Sequence, residues 1–312
     1  MSRCTETDKP TVQILLSTYN GERFLEAQIE SFLLQDCFDQ CKILIRDDGS
    51  TDGTRAILKQ YEQMPGFRIE YGENLGITES YAWLLRNSDA DCTYFAFSDQ
   101  DDVWLPEKLS VAMERLKNIP EGKPGMFASV SRIVDANLDA IGNSVFPSKG
   151  VSYYNAMIQN VLPGHTQVIN RALLELGSAR GYSDVHVLDW WYYLVASAVG
   201  VVEFHPQYTV LHRQHENNAV GMKENPLTRF VRRIRYIKEG RGNAFSKQLH
   251  AFYTRYYDIM PEEYIKETEA FFDSMSTLRS RLKYILGSRA YRQGAVENLA
   301  FKFLYLIGKY KL

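Results

Sequence analysis

Short apolar runs at 12–17, 43–45 and 92–97, and an alternating run at 67–71, each end in turn-forming residues. A stretch of helical periodicity follows each of them. Helices between consecutive strands leave few architectures open. Each strand is returned to the same side of the sheet by a crossover helix, so neighbouring strands run parallel and both faces are covered. Phe24, Ile29, Phe32 and Leu33 supply the apolar face of the first helix, residues 55–61 form the second, and Tyr81, Leu84 and Leu85 supply the third. Pro106 opens the fourth, over 107–117. The fold class expected is α/β: a mostly parallel central sheet with flanking helices, followed by a helical C-terminal appendage.

The pattern is mixed beyond residue 117. Strands are expected at 126–130, 164–170, 201–204 and 208–211, and helices at 171–176 and 187–199. Residues 136–139 read as a turn, and 213–224 as an aperiodic loop. Asn225-Pro226 then opens a helical region with Leu227, Phe230, Val231, Ile234 and Ile237 on one face and Arg229, Arg232, Arg233 and Lys238 around it. Helices are expected through 247–257, 262–286 and 290–311.

The net charge of −2 conceals a split along the chain. Residues 225–312 hold 17 Lys and Arg against 8 Asp and Glu, a net of +9, and the preceding 224 hold 19 against 30, a net of −11. Two units are therefore expected, 1–224 as a catalytic domain and 225–312 as a basic helical region. With 45% apolar and 24% charged residues the chain has the composition of a folded soluble protein. Met1 to Pro10 lacks a secretory pattern, and no apolar run is long enough to span a bilayer, so a cytoplasmic protein is expected. Cys4, Cys37, Cys41 and Cys92 read as reduced thiols, without a zinc-site spacing.

Strand ends in an open α/β sheet are where ligands sit. Here they bring together Ser17-Thr18-Tyr19-Asn20, Asp47-Asp48-Gly49-Ser50 and Asp99-Gln100-Asp101-Asp102. Carboxylates crowded at 99–102 repel one another unless a cation joins them, which calls for a divalent metal carrying a phosphorylated substrate. The alternative is a solvated acidic turn with a helix cap. Asp48 with its neighbouring hydroxyls suits a base and ribose, and Asp99 and Asp101 suit ribose and a metal spanning a diphosphate. The chain has no Gly-x-x-x-x-Gly-Lys and no dinucleotide fingerprint. A sugar nucleotidyltransferase would need a glycine-rich basic loop that residues 16–21 lack.

Leu16-Ser17-Thr18-Tyr19-Asn20, Arg46-Asp47-Asp48-Gly49-Ser50-Thr51-Asp52-Gly53-Thr54 and Asp99-Gln100-Asp101-Asp102, in that order, resemble the signature of the family 2 glycosyltransferases with the GT-A fold. The resemblance covers roughly residues 12–220. It implies nucleotide binding by Ser17, Thr18, Tyr19, Asn20 and Asp48, ribose and metal binding by Asp99 and Asp101, and Mg2+ or Mn2+ as cofactor. Asp102 matches an additional acidic residue common in the family. Phe97–Trp104, Leu188-Asp189-Trp190-Trp191 and His212-Arg213-Gln214-His215-Glu216-Asn217-Asn218 are similar to the bacterial rhamnosyltransferase-type branch. That branch often has His where this chain has Leu188.

Asp189 is the general base that this reading implies. An inverting transfer needs one carboxylate within reach of the acceptor hydroxyl, on the face opposite the leaving diphosphate. The other reading of Asp189 is a helix cap beside two core tryptophans. Trp190 and Trp191 offer faces for an acceptor sugar. In the 213–224 loop, Arg213 is expected on the diphosphate and His215 in the metal shell, with a structural histidine as the competing reading. His165 reads as acceptor-pocket lining or core, and Trp104 as core.

The expected function is inverting transfer of L-rhamnose from dTDP-L-rhamnose to a saccharide or lipid-linked acceptor in bacterial surface polysaccharide synthesis. The alternatives are a UDP-hexose or UDP-N-acetylhexosamine donor, and a non-catalytic nucleotide-sugar-binding protein. The basic tail, 226–312, suits contact with the inner membrane surface. A plain packing appendage is the other reading, and no nucleic-acid partner is expected.

Overall fold

A computed structural model describes residues 11–215 and 242–310. The basic helix expected after Asn225-Pro226, Cys4, and residues 216–224 of the aperiodic loop lie outside the described residues.

Strands β1 (Val12–Thr18), β2 (Cys41–Asp47), β3 (Phe67–Tyr71) and β4 (Tyr94–Ser98) alternate with helices α1 (Leu25–Leu33), α2 (Thr54–Leu58) and α3 (Ile77–Arg86). They form a parallel half-sheet in the order β3-β2-β1-β4. Side chains alternate between its faces, as a period of two requires. Ile14, Leu16, Ile43, Ile45 and Ala96 face one apolar core, while Leu15, Leu44, Phe95 and Phe97 face the other. β1, β2 and β4 are covered on both faces, which is why they read as apolar runs, whereas the edge strand β3 has no buried residue and alternates.

The second half of the sheet is mixed. It contains β5 (Val103–Trp104), β6 (Gly125–Val134), β7 (Ala140–Asn143), β8 (Val168–Asn170) and β9 (Val201–Arg213), with helix α4 (Lys108–Leu116) between β5 and β6. The order continues from β4 through β8, β6 and β9 to β5, with β7 beside β6. β8 pairs antiparallel with both β4 and β6, whereas β6 and β9 run parallel. Parallel order therefore governs the half that carries the first three loops, and half of the strand pairings are antiparallel. The strand expected over 164–170 is a 3-10 turn, Gly164–Thr166, followed by the short β8. The two late strands expected at 201–204 and 208–211 are one strand, β9, with bulges where it pairs with β6.

Helices α5 (Tyr153–Ala156), α6 (Arg171–Ala179) and α7 (Leu188–Val199) cover the Phe95/Phe97 face, joined there by α8 (Gly242–Tyr256), α9 (Glu262–Asp273), α10 (Leu278–Gly287) and α11 (Ala295–Leu306). The single helix expected over 262–286 is divided in two. Thr277 starts a new helix by accepting from the Ser280 backbone N–H at 3.1 Å, and the Ser280 hydroxyl caps Thr277 N in return. The C-terminal helices share the sheet's core: Leu249, Phe252 and Tyr256 of α8 pack in one cluster with Trp191 and Phe97. Gln248 Oε1 also accepts from the backbone N–H groups of His186 and Val187, both at 2.9 Å, which steadies the entry to α7.

Candidate active site

The C-terminal ends of β1, β2 and β4 lie side by side, with Thr18 in register with Asp47 and Leu16 with Ser98. Their loops are laced together by side chains that accept from backbone. Gln100 Oε1 accepts from Thr18 Oγ1 at 2.6 Å and from Tyr19 N at 2.8 Å, and its amide donates to Tyr19 O at 3.2 Å. Asn20 adopts a positive φ of 49°, and its Oδ1 accepts from Thr51 N at 2.8 Å. Ser17 Oγ donates to Ser80 Oγ at 2.7 Å. Tyr19 is left 46% exposed at the rim, available to a ligand.

Asp48 is buried below this rim. Its two oxygens accept from the N–H groups of Leu75 and Gly76, each at 2.9 Å, and Oδ1 also pairs with Arg46. Asp48 thus builds the wall formed by the 74–76 turn. Gly49 beside it has φ +84°, and a Cβ there would stand 2.9 Å from Asn74 N. Gly49→Ala combines backbone strain with that clash, so a loss of about 1–3 kcal/mol is expected in denaturant unfolding. An unchanged midpoint would show that this turn does not need the glycine.

The acidic stretch at the end of β4 separates into two clusters. In the first, Asp99, Asp102, His165 and His212 bring one ligand atom each within 4.8 Å of one another. Asp102 has no exposed surface; its Oδ1 accepts from His212 Nδ1 at 2.8 Å and from Arg213 N at 3.1 Å. His165 Nδ1 lies 3.4 Å from Asp99 Oδ2 and 3.8 Å from Asp102 Oδ2, and its ring stacks on His212 at 4.3 Å. Burial would raise the Asp102 pKa, but His165 and His212 outweigh it and hold the carboxyl below its usual range. Burial would lower His212, and the Asp102 charge and hydrogen bond lift it instead to about 9. Lys108, wholly buried, donates to the His165 carbonyl at 3.0 Å and lies over Trp104; burial pushes it down to about 7 against the pull of Asp102.

In the second cluster, Asp101 Oδ2 meets His215 Nε2 at 2.7 Å. Burial, then the Asp102 and Asp99 charges, raise Asp101 to about 7, while burial followed by Arg23 and Arg213 lowers His215. Both shifts favour neutral partners sharing one proton.

The first cluster fits a divalent cation. Asp102 Oδ2 is buried and has no hydrogen-bond partner, which is costly unless something positive meets it. Two carboxylates with two imidazoles form a mixed oxygen and nitrogen donor set, better matched to Mn2+ than to Mg2+. Of the three ligands expected from the sequence, Asp99 belongs to this group, whereas Asp101 and His215 face each other.

Asp189 sits in the first turn of α7, half-buried. Its Oδ2 accepts from Gly164 N at 2.8 Å and its Oδ1 from Trp190 N at 2.7 Å. Burial raises its pKa to about 6, the two backbone N–H groups oppose that, and the Asp99 charge adds to it. The carboxylate is thereby positioned and electrostatically linked to the acidic cluster.

Two expected ligand contacts, those of Trp191 and Arg213, are corrected, and Trp190 is tied to protein partners. Trp191 has no exposed surface, and its indole N–H donates to Gly177 O at 3.0 Å, so no sugar can stack on it. Trp190 donates to Ala156 O at 2.6 Å and is covered by Phe245 of α8, ring to ring at 5.4 Å. The Arg213 guanidinium is buried over Phe24 and donates to Asp101 O at 3.0 Å and Ala136 O at 2.6 Å, which anchors the acidic loop rather than facing a diphosphate. Conversely, Asp102, His165, His212 and Gln100 hold larger parts than sequence reasoning assigned them. His165 and His212 lie 47 residues apart on separate elements, and only the β4-β8-β6-β9 order joins them.

Residues 13–123 match the model of glycosyl transferase family 2. The dTDP-rhamnosyl transferase RfbG of Shigella flexneri is 27% identical over 224 residues, covering 66% of this chain and 73% of RfbG. The putative teichuronic acid biosynthesis glycosyltransferase TuaG of Bacillus subtilis is 36% identical over 110 residues, covering 34% of this chain and 42% of TuaG. Among solved structures, S. aureus TarS 1-349 in complex with UDP-GlcNAc superposes with a TM-score of 0.56 at 14% identity, covering 96% of this chain and 89% of TarS 1-349, a likeness of fold. With the strand-end loops on one edge of the sheet, residues 13–123 carry a glycosyl transferase family 2 domain.

Proposed function

We propose that the protein transfers a sugar with inversion from a nucleoside-diphosphate donor to a saccharide or lipid-linked saccharide, within bacterial surface polysaccharide synthesis. The observation that carries this reading is Asp189, held by two backbone N–H groups and raised to about 6 beside the acidic cluster. A carboxylate with that pKa is ionised at neutral pH, yet basic enough to take a proton. As the acceptor oxygen bonds to the anomeric carbon, its proton passes to Asp189 and the bond to the diphosphate breaks. Tyr19 and the loops at Ser17–Asn20 line the nucleotide seat, and Asp48 shapes its wall. Asp99, Asp102, His165 and His212 would hold Mn2+ or Mg2+, with Asp101 and His215 beside them. The ion, when bound, neutralises charge on the departing diphosphate.

The similarity to RfbG supports dTDP-L-rhamnose as donor, and the likeness to TarS supports a UDP-hexose or UDP-N-acetylhexosamine as the second reading. A non-catalytic nucleotide-sugar-binding protein would have no use for the raised carboxylate at Asp189. Residues 1–224 form the catalytic unit in this reading, and the protein works at the cytoplasmic side of the membrane. The test is transfer from dTDP-L-rhamnose, UDP-glucose and UDP-N-acetylglucosamine to a panel of diphosphate-lipid saccharides with Mn2+, the product's anomeric configuration being read by NMR. Turnover of one donor with inverted configuration is expected. Retained configuration, or equal turnover in EDTA, would contradict the proposal.

A further inference from the structure

The last two described helices expose what a water-facing helix ordinarily hides. Every exposed residue of α11 is apolar: Ala295, Val296, Leu299 and Phe303. Val296 is 69% and Leu299 70% exposed, and Ile307, just past the helix, continues the stripe. On α10, Leu278, Leu282 and Leu286 recur every fourth residue on one face, with Leu286 79% exposed. The two helices are packed together through Tyr284 and Tyr305, whose rings lie 5.1 Å apart, so the stripes belong to one end of the helical lobe. Single exposed leucines need no explanation, whereas stripes on adjoining helices mark a contact surface.

Charge identifies the partner. Arg279 and Lys283 are exposed among the three leucines of α10, and Lys309 is exposed beyond Ile307. Residues 278–310 hold seven cations (Arg279, Arg281, Lys283, Arg289, Arg292, Lys302, Lys309) and one acid, Glu297. The preceding helix α9 is the reverse, with five acids (Glu262, Glu263, Glu267, Glu269, Asp273) against Lys266. Cations are thus gathered where the apolar side chains are exposed. No described helix is long and apolar enough to cross a membrane.

We propose that α10 and α11 dock on the surface of a bilayer bearing anionic headgroups. Leu278, Leu282, Leu286, Val296, Leu299 and Phe303 enter the acyl boundary, while Arg279, Lys283 and Lys309 meet the headgroups. Docking itself requires no particular donor. Its consequence rests on the transfer reading: a lipid-linked acceptor would be met at the bilayer that holds the enzyme.

The test is flotation of the full chain with vesicles of equal parts phosphatidylglycerol and phosphatidylcholine, and with phosphatidylcholine alone. The protein should float with the anionic vesicles and lose most of that binding at high salt. Leu299→Ser with Phe303→Ser should weaken partitioning at least about tenfold, from the apolar surface no longer buried. Arg279→Gln with Lys283→Gln should weaken it roughly fivefold per charge. All four positions are surface-exposed, so unchanged thermal unfolding is expected and certifies the comparison. Equal flotation of the wild type and the Leu299/Phe303 variant, or no flotation of either, would overturn the proposal. So would a concentration-dependent dimer that this variant abolishes in the absence of vesicle binding, since the stripe would then belong to a second copy.

Discussion

Asp102→Asn is expected to abolish Mn2+ binding and metal-dependent transfer while also destabilising the fold. Asp102 is fully buried, and its charge compensates His212, whose pKa it lifts to about 9. Removing one partner of a buried ion pair leaves the other uncompensated, at a cost of about 3–5 kcal/mol. Asparagine can still accept from Arg213 N, but it brings no charge to the unpartnered position of Asp102 Oδ2. Mn2+ affinity should fall by more than about 100-fold, beyond the loss typical of an outer-shell change, as read by titration calorimetry. Because His212 must give up its proton to ligate a metal, affinity in the wild type should climb with pH toward about 9.

The stability signs follow from the same pair. His212 is raised, so its contribution is complete below its unfolded pKa, near 6.5, and is lost as pH rises through about 9. Asp102 is lowered, so its contribution is present above the usual carboxylate range and is lost as pH falls through its depressed folded value. Metal-free protein should therefore lose stability in acid and, at the other end, progressively as pH climbs from near 6.5 to about 9. Asp102→Asn should flatten both limbs.

Asp189→Asn is expected to lower kcat by about 10²–10⁴-fold with donor affinity preserved, the range for a positioned general base. The asparagine oxygen can retain one of the two backbone bonds, from Trp190 N or Gly164 N, so the start of α7 should stay in place. In the wild type, kcat should fall below about pH 6 as the Asp189 carboxyl protonates. A variant that transfers at the wild-type rate, or an acid limb unchanged by the substitution, would remove Asp189 from the reaction.

Much of the fold was legible because the first half of the chain obeys local rules. β1, β2 and β4 are buried on both faces and read as apolar runs, the edge strand β3 alternates apolar and polar residues, and the crossover helices leave periodic stripes. The second half was less legible for a physical reason. β8 has three residues and β5 two, and both owe their place to partners far away in sequence. The same non-locality hid part of the site. Asp99, Asp101 and Asp189 stand at strand and helix ends, where local pattern points. His165 and His212 join Asp102 only through the strand order of the mixed half-sheet. Trp190 and Trp191 misled because adjacency to Asp189 suggested a shared face, whereas successive helical residues point in different directions. Trp191 points into the core and Trp190 under α8.

The central claim is that nucleotide binding depends on a cation held at the acidic cluster and is separate from the base at Asp189. Thermal unfolding with dTDP, UDP or GDP, each in Mn2+ and in EDTA, tests it in the wild type, Asp189→Asn and Asp102→Asn. Ligand at about 100 times its Kd adds about 2.7 kcal/mol, which raises the midpoint by several degrees. One nucleotide should give that rise with Mn2+ in the wild type and in Asp189→Asn, and neither EDTA nor Asp102→Asn should allow it. An equal rise in EDTA, or a full rise in Asp102→Asn, would contradict the account.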